Sequence, residues 1–267
     1  SLGKVQAVFV GKDNPPPPPT DLVLHKAPKN AAGMVGLVGK DSYRPINILV
    51  DYSPMNKAKN ISEMHRNLIK KVLVPRTVEL LRSMLKVSGP EEMKLNGQEC
   101  KSHLNLPKKY VNKAFRADLV IFVKSFTEPN SNYAAFAAPC GLNGYNRRPC
   151  VGMINFNGAH LKSEMALMDS MLASTLHEIM HVLVINPQFY QFFPTGKESQ
   201  EKKGDVTYLR TPRLLKHARD YFNCLTLEGI PMENEGGSTS AAAHFEKAIL
   251  GNELMTAMLT EGATFSA

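Results

Sequence analysis

Residues 174–181 read STLHEIMH, and within them His177, Glu178 and His181 stand in the order H-E-x-x-H. On a helix, positions i and i+4 share one face a turn apart, so two imidazoles at this spacing can converge on a single metal ion. Zinc takes imidazole nitrogen, and in catalytic sites it keeps three protein ligands and an open position for water. A glutamate beside the first ligand is placed to take the proton of that water. Two histidines leave a third ligand to be found.

Three stretches offer one. Glu201-Lys-Lys-Gly-Asp205 has the E-x-x-x-D form by which a second helix can supply a glutamate, although Gly204 in a polar run weakens a helix there. His217 lies on the amphipathic stretch LLKHARDYF, where a surface or packing role is the ordinary one. His244 follows NEGGSTSAAA, a run of small residues able to return a side chain beneath a preceding helix, and Met255 comes soon after. His244 is the best placed, and the other two stay open on the residues alone.

The elements that must position these groups follow from periodicity. A β-branched run, PINILVDYS at 45–53, opens the globular part as a strand. Residues 61–87 carry Met64, Leu68, Val72, Val78, Leu81 and Leu85 at helical spacing, with Pro75 expected to kink or break the helix. ADLVIFVKSF (117–126) reads as a central strand, NYAAFAAPC (132–140) as an edge strand and CVGMINFN (150–157) as a further strand. The motif helix spans about 163–184, its apolar face formed by Met168, Met171, Leu172, Leu176, Ile179, Met180 and Leu183. A polar loop follows, then a short helix at 211–224 with Pro212 in its first turn. Residues 1–44, with five consecutive prolines and a Gly-rich stretch, are expected to form an extended arm.

Composition narrows the function classes. The chain has 267 residues, 43% hydrophobic and 21% charged, ordinary values for a globular protein. No apolar run approaches the roughly 20 residues needed to span a bilayer. The net charge of +8 is spread without a run above two and without a nucleic-acid motif, so no nucleic-acid partner is expected. Cysteines at 100, 140, 150 and 224 have no C-x-x-C spacing and can pair in three ways. One sequon, Asn60-Ile61-Ser62, suits a secretory protein, and no leader is visible in SLGKVQAVFV.

Taken together, RPCVGMINF, HEIMHVL, FNCLTLEGIPMENEGGSTSAAAH and NELMTA resemble the leishmanolysin-like metalloproteases, a branch of the metzincins, with VPRTVELLRSMLKV and ADLVIFVKSF fitting their N-terminal part. The resemblance covers about residues 45–260. It implies an α+β fold: an N-terminal subdomain (45–184) with a twisted mixed sheet, helices and the active-site helix, then a mostly helical and looped C-terminal lobe (185–267). It further implies that His177, His181 and His244 bind Zn2+, that Glu178 is the general base, and that Met255 forms the turn beneath the metal. A Cys100–Cys140 cross-link is implied in the same way. The long gap from His181 to His244 (244 − 181 = 63) is a mark of that family.

The implied activity is endopeptidase hydrolysis of protein or peptide substrates, in a secreted or cell-surface setting that includes membrane association of a longer product. Two departures motivate an alternative, a catalytically silent relative acting in binding or adhesion. The family pattern has glycine three residues after the second histidine, where this chain has Val184, and no Cys-rich region follows the Met255 segment, which leaves Cys224 without an evident partner.

Overall fold

The computed structural model describes residues 22–25 and 43–257 except 59, 90–91, 132, 145, 162–166 and 236–240. Most of the expected arm, its prolines included, lies outside the described residues, as do 163–166 of the motif helix and Asn132 of the expected edge strand. The first elements are β1 (Val23–Leu24), β2 (Arg44–Pro45), β3 (Ile48–Asp51), α1 (Ser53–Asn56), α2 (Glu63–Leu68), α3 (Val74–Met84) and β4 (Lys86–Val87). A hairpin of β5 (Glu92–Lys94) and β6 (Ala114–Arg116) precedes β7 (Leu119–Phe126), β8 (Ala135–Leu142), β9 (Pro149–Asn157) and α4 (Met168–Leu183). The rest comprises β10 (Gln200–Lys203), β11 (Val206–Leu209), α5 (Pro212–Tyr221), β12 (Ile230–Pro231) and α6 (Lys247–Leu250).

Five strands form a mixed sheet in the order β1-β8-β9-β7-β3. β8 alone runs antiparallel to its larger neighbour β9, while β9, β7 and β3 are parallel. The expected apolar run at 117–126 is β7, whose side chains divide between two cores. Leu119, Ile121 and Val123 face the helices, and Val120 and Phe122 face the lobe that carries the β5–β6 hairpin. Both faces are covered, which is why this strand shows no polar alternation. Each such side chain, fully buried, contributes roughly 1.5–3 kcal/mol of transfer free energy. The disulfide Cys100–Cys140, with Cα atoms 5.0 Å apart, ties that lobe to β8. Cys150 and Cys224 are free thiols, the first buried.

Pro75 does not break the helix. Ser62 caps α2 by accepting from the His65 N–H, and the chain continues through a π-helical stretch, Ile69–Leu73, straight into α3. Proline has no N–H to give and its ring crowds the carbonyl one turn earlier. The wider turn immediately before it makes room, and Pro75 sits in the first turn of α3.

The C-terminal lobe is mostly helix and loop, as expected, with one small sheet that was not expected. β10, β11 and β12 form an antiparallel three-stranded sheet, with Gly204 at φ 61° in the β10–β11 turn. Its strands are short and half-exposed, so no apolar alternation marked them in QEKKGDVTYL. Among the described residues the lobe's own cluster is small (Ala218, Ile230 and Leu250), and Leu209, Met232, Leu254 and Met255 join the core beneath α4.

α4 lies close against the sheet. A Cβ on Gly152 of β9 would come within 2.3 Å of a Val182 methyl, so glycine is what permits this approach. Gly152→Ala is expected to cost about 1–3 kcal/mol in denaturant unfolding and to displace α4. Beside the sheet, buried Asp118 accepts from Arg44 (2.6 Å), Arg148 (2.9 Å) and the Asn47 N–H (2.8 Å). Burial pushes its carboxyl up, but the Arg44 and Asn47 hydrogen bonds and the Arg148 charge hold it below the usual value of 3.8. A lowered folded pKa gives stability that is present above that usual value and is lost as pH falls through the folded one. Asp118→Asn is therefore expected to remove about 3 kcal/mol at neutral pH and to flatten the acid limb of the stability curve, read by urea unfolding across pH.

Candidate metal centre

The motif residues lie on α4, whose buried face includes Leu176, His177, Glu178 and Ile179. Thr175 and Ser174 return their hydroxyls to carbonyls four residues back, which keeps these polar groups satisfied inside the packed helix. His177 is fully buried, and His244 and Glu178 nearly so.

Three ring nitrogens meet. His177 Nε2 is 3.0 Å from His181 Nε2 and 3.3 Å from His244 Nε2, and the last two are 3.1 Å apart. The contact between His177 and His181 is not a hydrogen bond between the rings. His177 Nδ1 lies 2.6 Å from the Leu254 carbonyl and His181 Nδ1 lies 2.8 Å from the Ile185 carbonyl. A carbonyl only accepts, so each Nδ1 carries the proton and each Nε2 of a neutral ring presents a lone pair. Burial drives the His177 pKa down to about 3, helped by His181, and burial lowers His181 to about 4. The rings are held neutral, which is the metal-binding form.

The spacing fits zinc. Ligands at 2.0–2.1 Å in tetrahedral directions stand about 3.3 Å from one another, close to all three observed separations. A carbonyl accepting from the far nitrogen of a ligand ring is the usual outer support of such sites. Among the described residues, His177, His181 and His244 are the one group of three or more His, Cys, Asp or Glu side chains that converges in this way.

The third ligand arrives on a short three-ply of backbone. Phe245 bridges to Met232 on one side and to Thr256 on the other, and its N–H donates to the Met255 carbonyl at 2.7 Å. Thr256 closes a tight turn on the Glu253 carbonyl. Leu254 and Met255 thus act through their main chain: one carbonyl orients His177 and the next holds the residue after His244. The Met255 side chain is buried in the main core.

Glu178 points elsewhere than to the rings' far nitrogens. Its carboxyl accepts the Ala137 N–H of β8, and burial outweighs that bond to push its pKa up to about 8. The Ala134 carbonyl faces β9, where it accepts from Asn157, so Ala135, Ala137 and Pro139 turn their main-chain groups to the outer edge. Pro139, without an N–H, is tolerated there for that reason. β1 pairs only with Gly141 and Leu142, so among the described residues the edge from 135 to 139 has no strand partner. The expected edge strand is present, and Glu178 is anchored to it.

The other two candidate ligands stand apart. Glu201 is in β10, ion-paired with Arg210 at 2.5 Å, and no helix carries Glu201 and Asp205. His217 is exposed on α5. Sequence inspection missed Ala137, Ile185 and Leu254, which work through the backbone and leave no trace in residue type.

The family model for leishmanolysin matches residues 53–267, four-fifths of the chain. The chain belongs to the leishmanolysin family. Its relatives include a leishmanolysin-like peptidase of Drosophila melanogaster, 27% identical over 172 residues that cover 49% of this chain and 25% of the relative. Leishmanolysin of Leishmania donovani is 25% identical over 202 residues, 73% of this chain and 34% of that protein. The ciliated left-right organizer metallopeptidase of Mus musculus is 30% identical over 162 residues, 53% and 22%. The chain spans about a fifth to a third of the length of these relatives. Leishmanolysins are metallopeptidases, zinc-dependent in general, and the histidine trio suits that ion.

Val184 stands where the resemblance to the family expects glycine. Its φ is −140°, outside the left-handed region that would require glycine. The chain leaves α4 through main-chain bonds from Val184 and Ile185 to the Met180 carbonyl, and Asn186 then caps Gln188. Val184→Gly is expected to leave zinc affinity within about twofold of the parent, since no left-handed residue is needed here. Isothermal titration with zinc would check this.

Proposed function

We propose that this leishmanolysin-family chain is a zinc-dependent endopeptidase, with His177, His181 and His244 as metal ligands and Glu178 as general base. The observation that carries the reading is the convergence of three Nε2 atoms at 3.0–3.3 Å, two of them on the helix that also carries the buried Glu178. Zinc bound there would supply a Lewis acid for the scissile carbonyl and ease deprotonation of a neighbouring water.

The chain's own groups do the rest. Glu178, whose carboxylate form the charge of a bound zinc ion would favour, takes the proton of the attacking water and passes it to the leaving amine. The Ala137 N–H keeps that carboxyl at the edge of β8, where an extended protein or peptide substrate pairs with the Ala135 main chain and the Ala137 and Pro139 carbonyls. Met255 serves as the buried floor of the site, its turn fixing two of the histidine segments. The Cys100–Cys140 disulfide supports an oxidising, secreted or cell-surface setting.

A silent relative used in binding or adhesion would draw its support from Val184. A backbone there outside the left-handed region, together with the ligand trio and Glu178, favours the peptidase. Zinc-loaded protein is expected to cleave an unfolded substrate such as casein, to stop with chelator and to recover with added zinc. Glu178→Ala should lower turnover at least 100-fold while keeping one equivalent of zinc, whereas His181→Ala should lose both. Full activity in Glu178→Ala would reject this base. One bound zinc without chelator-sensitive cleavage would favour the silent relative.

A further inference from the structure

Tyr190 begins a short 3-10 turn, Tyr190–Phe192, soon after α4 ends, and its side chain is fully buried. Its hydroxyl donates to the Ala242 carbonyl at 2.7 Å, across 52 positions of chain. Ala242 has φ 58°, the left-handed conformation that a residue with a Cβ adopts at a cost. Two residues later comes His244. The Ala242 N–H donates to the Glu233 carbonyl (2.7 Å), and the Glu233 N–H donates to the His244 carbonyl (2.8 Å). The reversal that delivers the third ring is therefore held by Glu233 through its main chain and by Tyr190 through one hydroxyl.

A buried tyrosine ordinarily finds some acceptor. What distinguishes this one is the acceptor itself, the carbonyl of a left-handed alanine just ahead of a converging histidine. We propose that Tyr190 is a positioning residue for the third ligand: its hydroxyl holds Ala242 in the backbone conformation that aims His244 at His177 and His181. Tyr190 follows directly from the helix that carries the other two rings, so the bond joins the two ends of the long insertion. This inference rests on the metal-centre reading above.

Tyr190→Phe keeps the ring, which packs on Phe193 with centroids 5.5 Å apart, and removes only the hydroxyl. Zinc affinity, measured by competition with a chromogenic chelator, is expected to fall about tenfold, the lower end for outer-shell partners. Circular dichroism of the metal-free protein should be unchanged. Peptidase kcat should drop at limiting zinc and return at saturating zinc, with KM constant. Adding Ala242→Gly should recover most of the lost affinity, because glycine takes a positive φ without a Cβ cost.

Unaltered zinc affinity in Tyr190→Phe would overturn the proposal, and so would a loss that Ala242→Gly leaves untouched. Parent protein that takes up no zinc would instead overturn the metal-centre reading.

Discussion

Three imidazole Nε2 atoms confront one another at 3.0–3.3 Å, with the ring protons of His177 and His181 committed elsewhere. Lone pairs facing one another in that array repel weakly, and a cation between them would turn the repulsion into attraction. The array's cost is met by hydrogen bonds to the Leu254 and Ile185 carbonyls and by the packing of α4 on the sheet. Each carbonyl fixes a ring's orientation and tautomer at once, so the site's precision comes from main chain.

The sheet serves the site in two ways. Gly152 lets α4 sit close enough that Glu178 reaches the main chain of β8. The antiparallel run of β8 and the shortness of β1 leave, among the described residues, an edge without a strand partner next to that carboxyl. An open edge is ordinarily a hazard for edge-to-edge pairing. Here the edge is short, bears a proline and lies beside the site that can use it.

The insertion between His181 and His244 contributes to more than distance. Its small sheet packs into the core beneath α4, and its last residues return through bridges to Met232 and Thr256. Because Leu209, Met232 and Leu254 share a core with the helix, the lobe that brings the third ring cannot fold away from the other two without opening that core.

Much was legible in the sequence. The H-E-x-x-H spacing set two rings and a carboxylate on one helix, the apolar run of β7 announced a central strand, and the residues of β9 announced a further strand. Those signals are local, repeating every two or every 3.6 residues. The π turn before Pro75 and the β10–β11 hairpin were not legible, since tertiary packing overrode one propensity and the other carried too little apolar alternation to register. The choice among Glu201, His217 and His244 could not be made from residue types: each is a competent side chain, and only the folded path of the insertion brings one within 3.3 Å of the pair. The sequence by itself determined which groups were chemically able. The tertiary structure decided which of them meet, because convergence depends on backbone hydrogen bonds that any residue can make and none reveals.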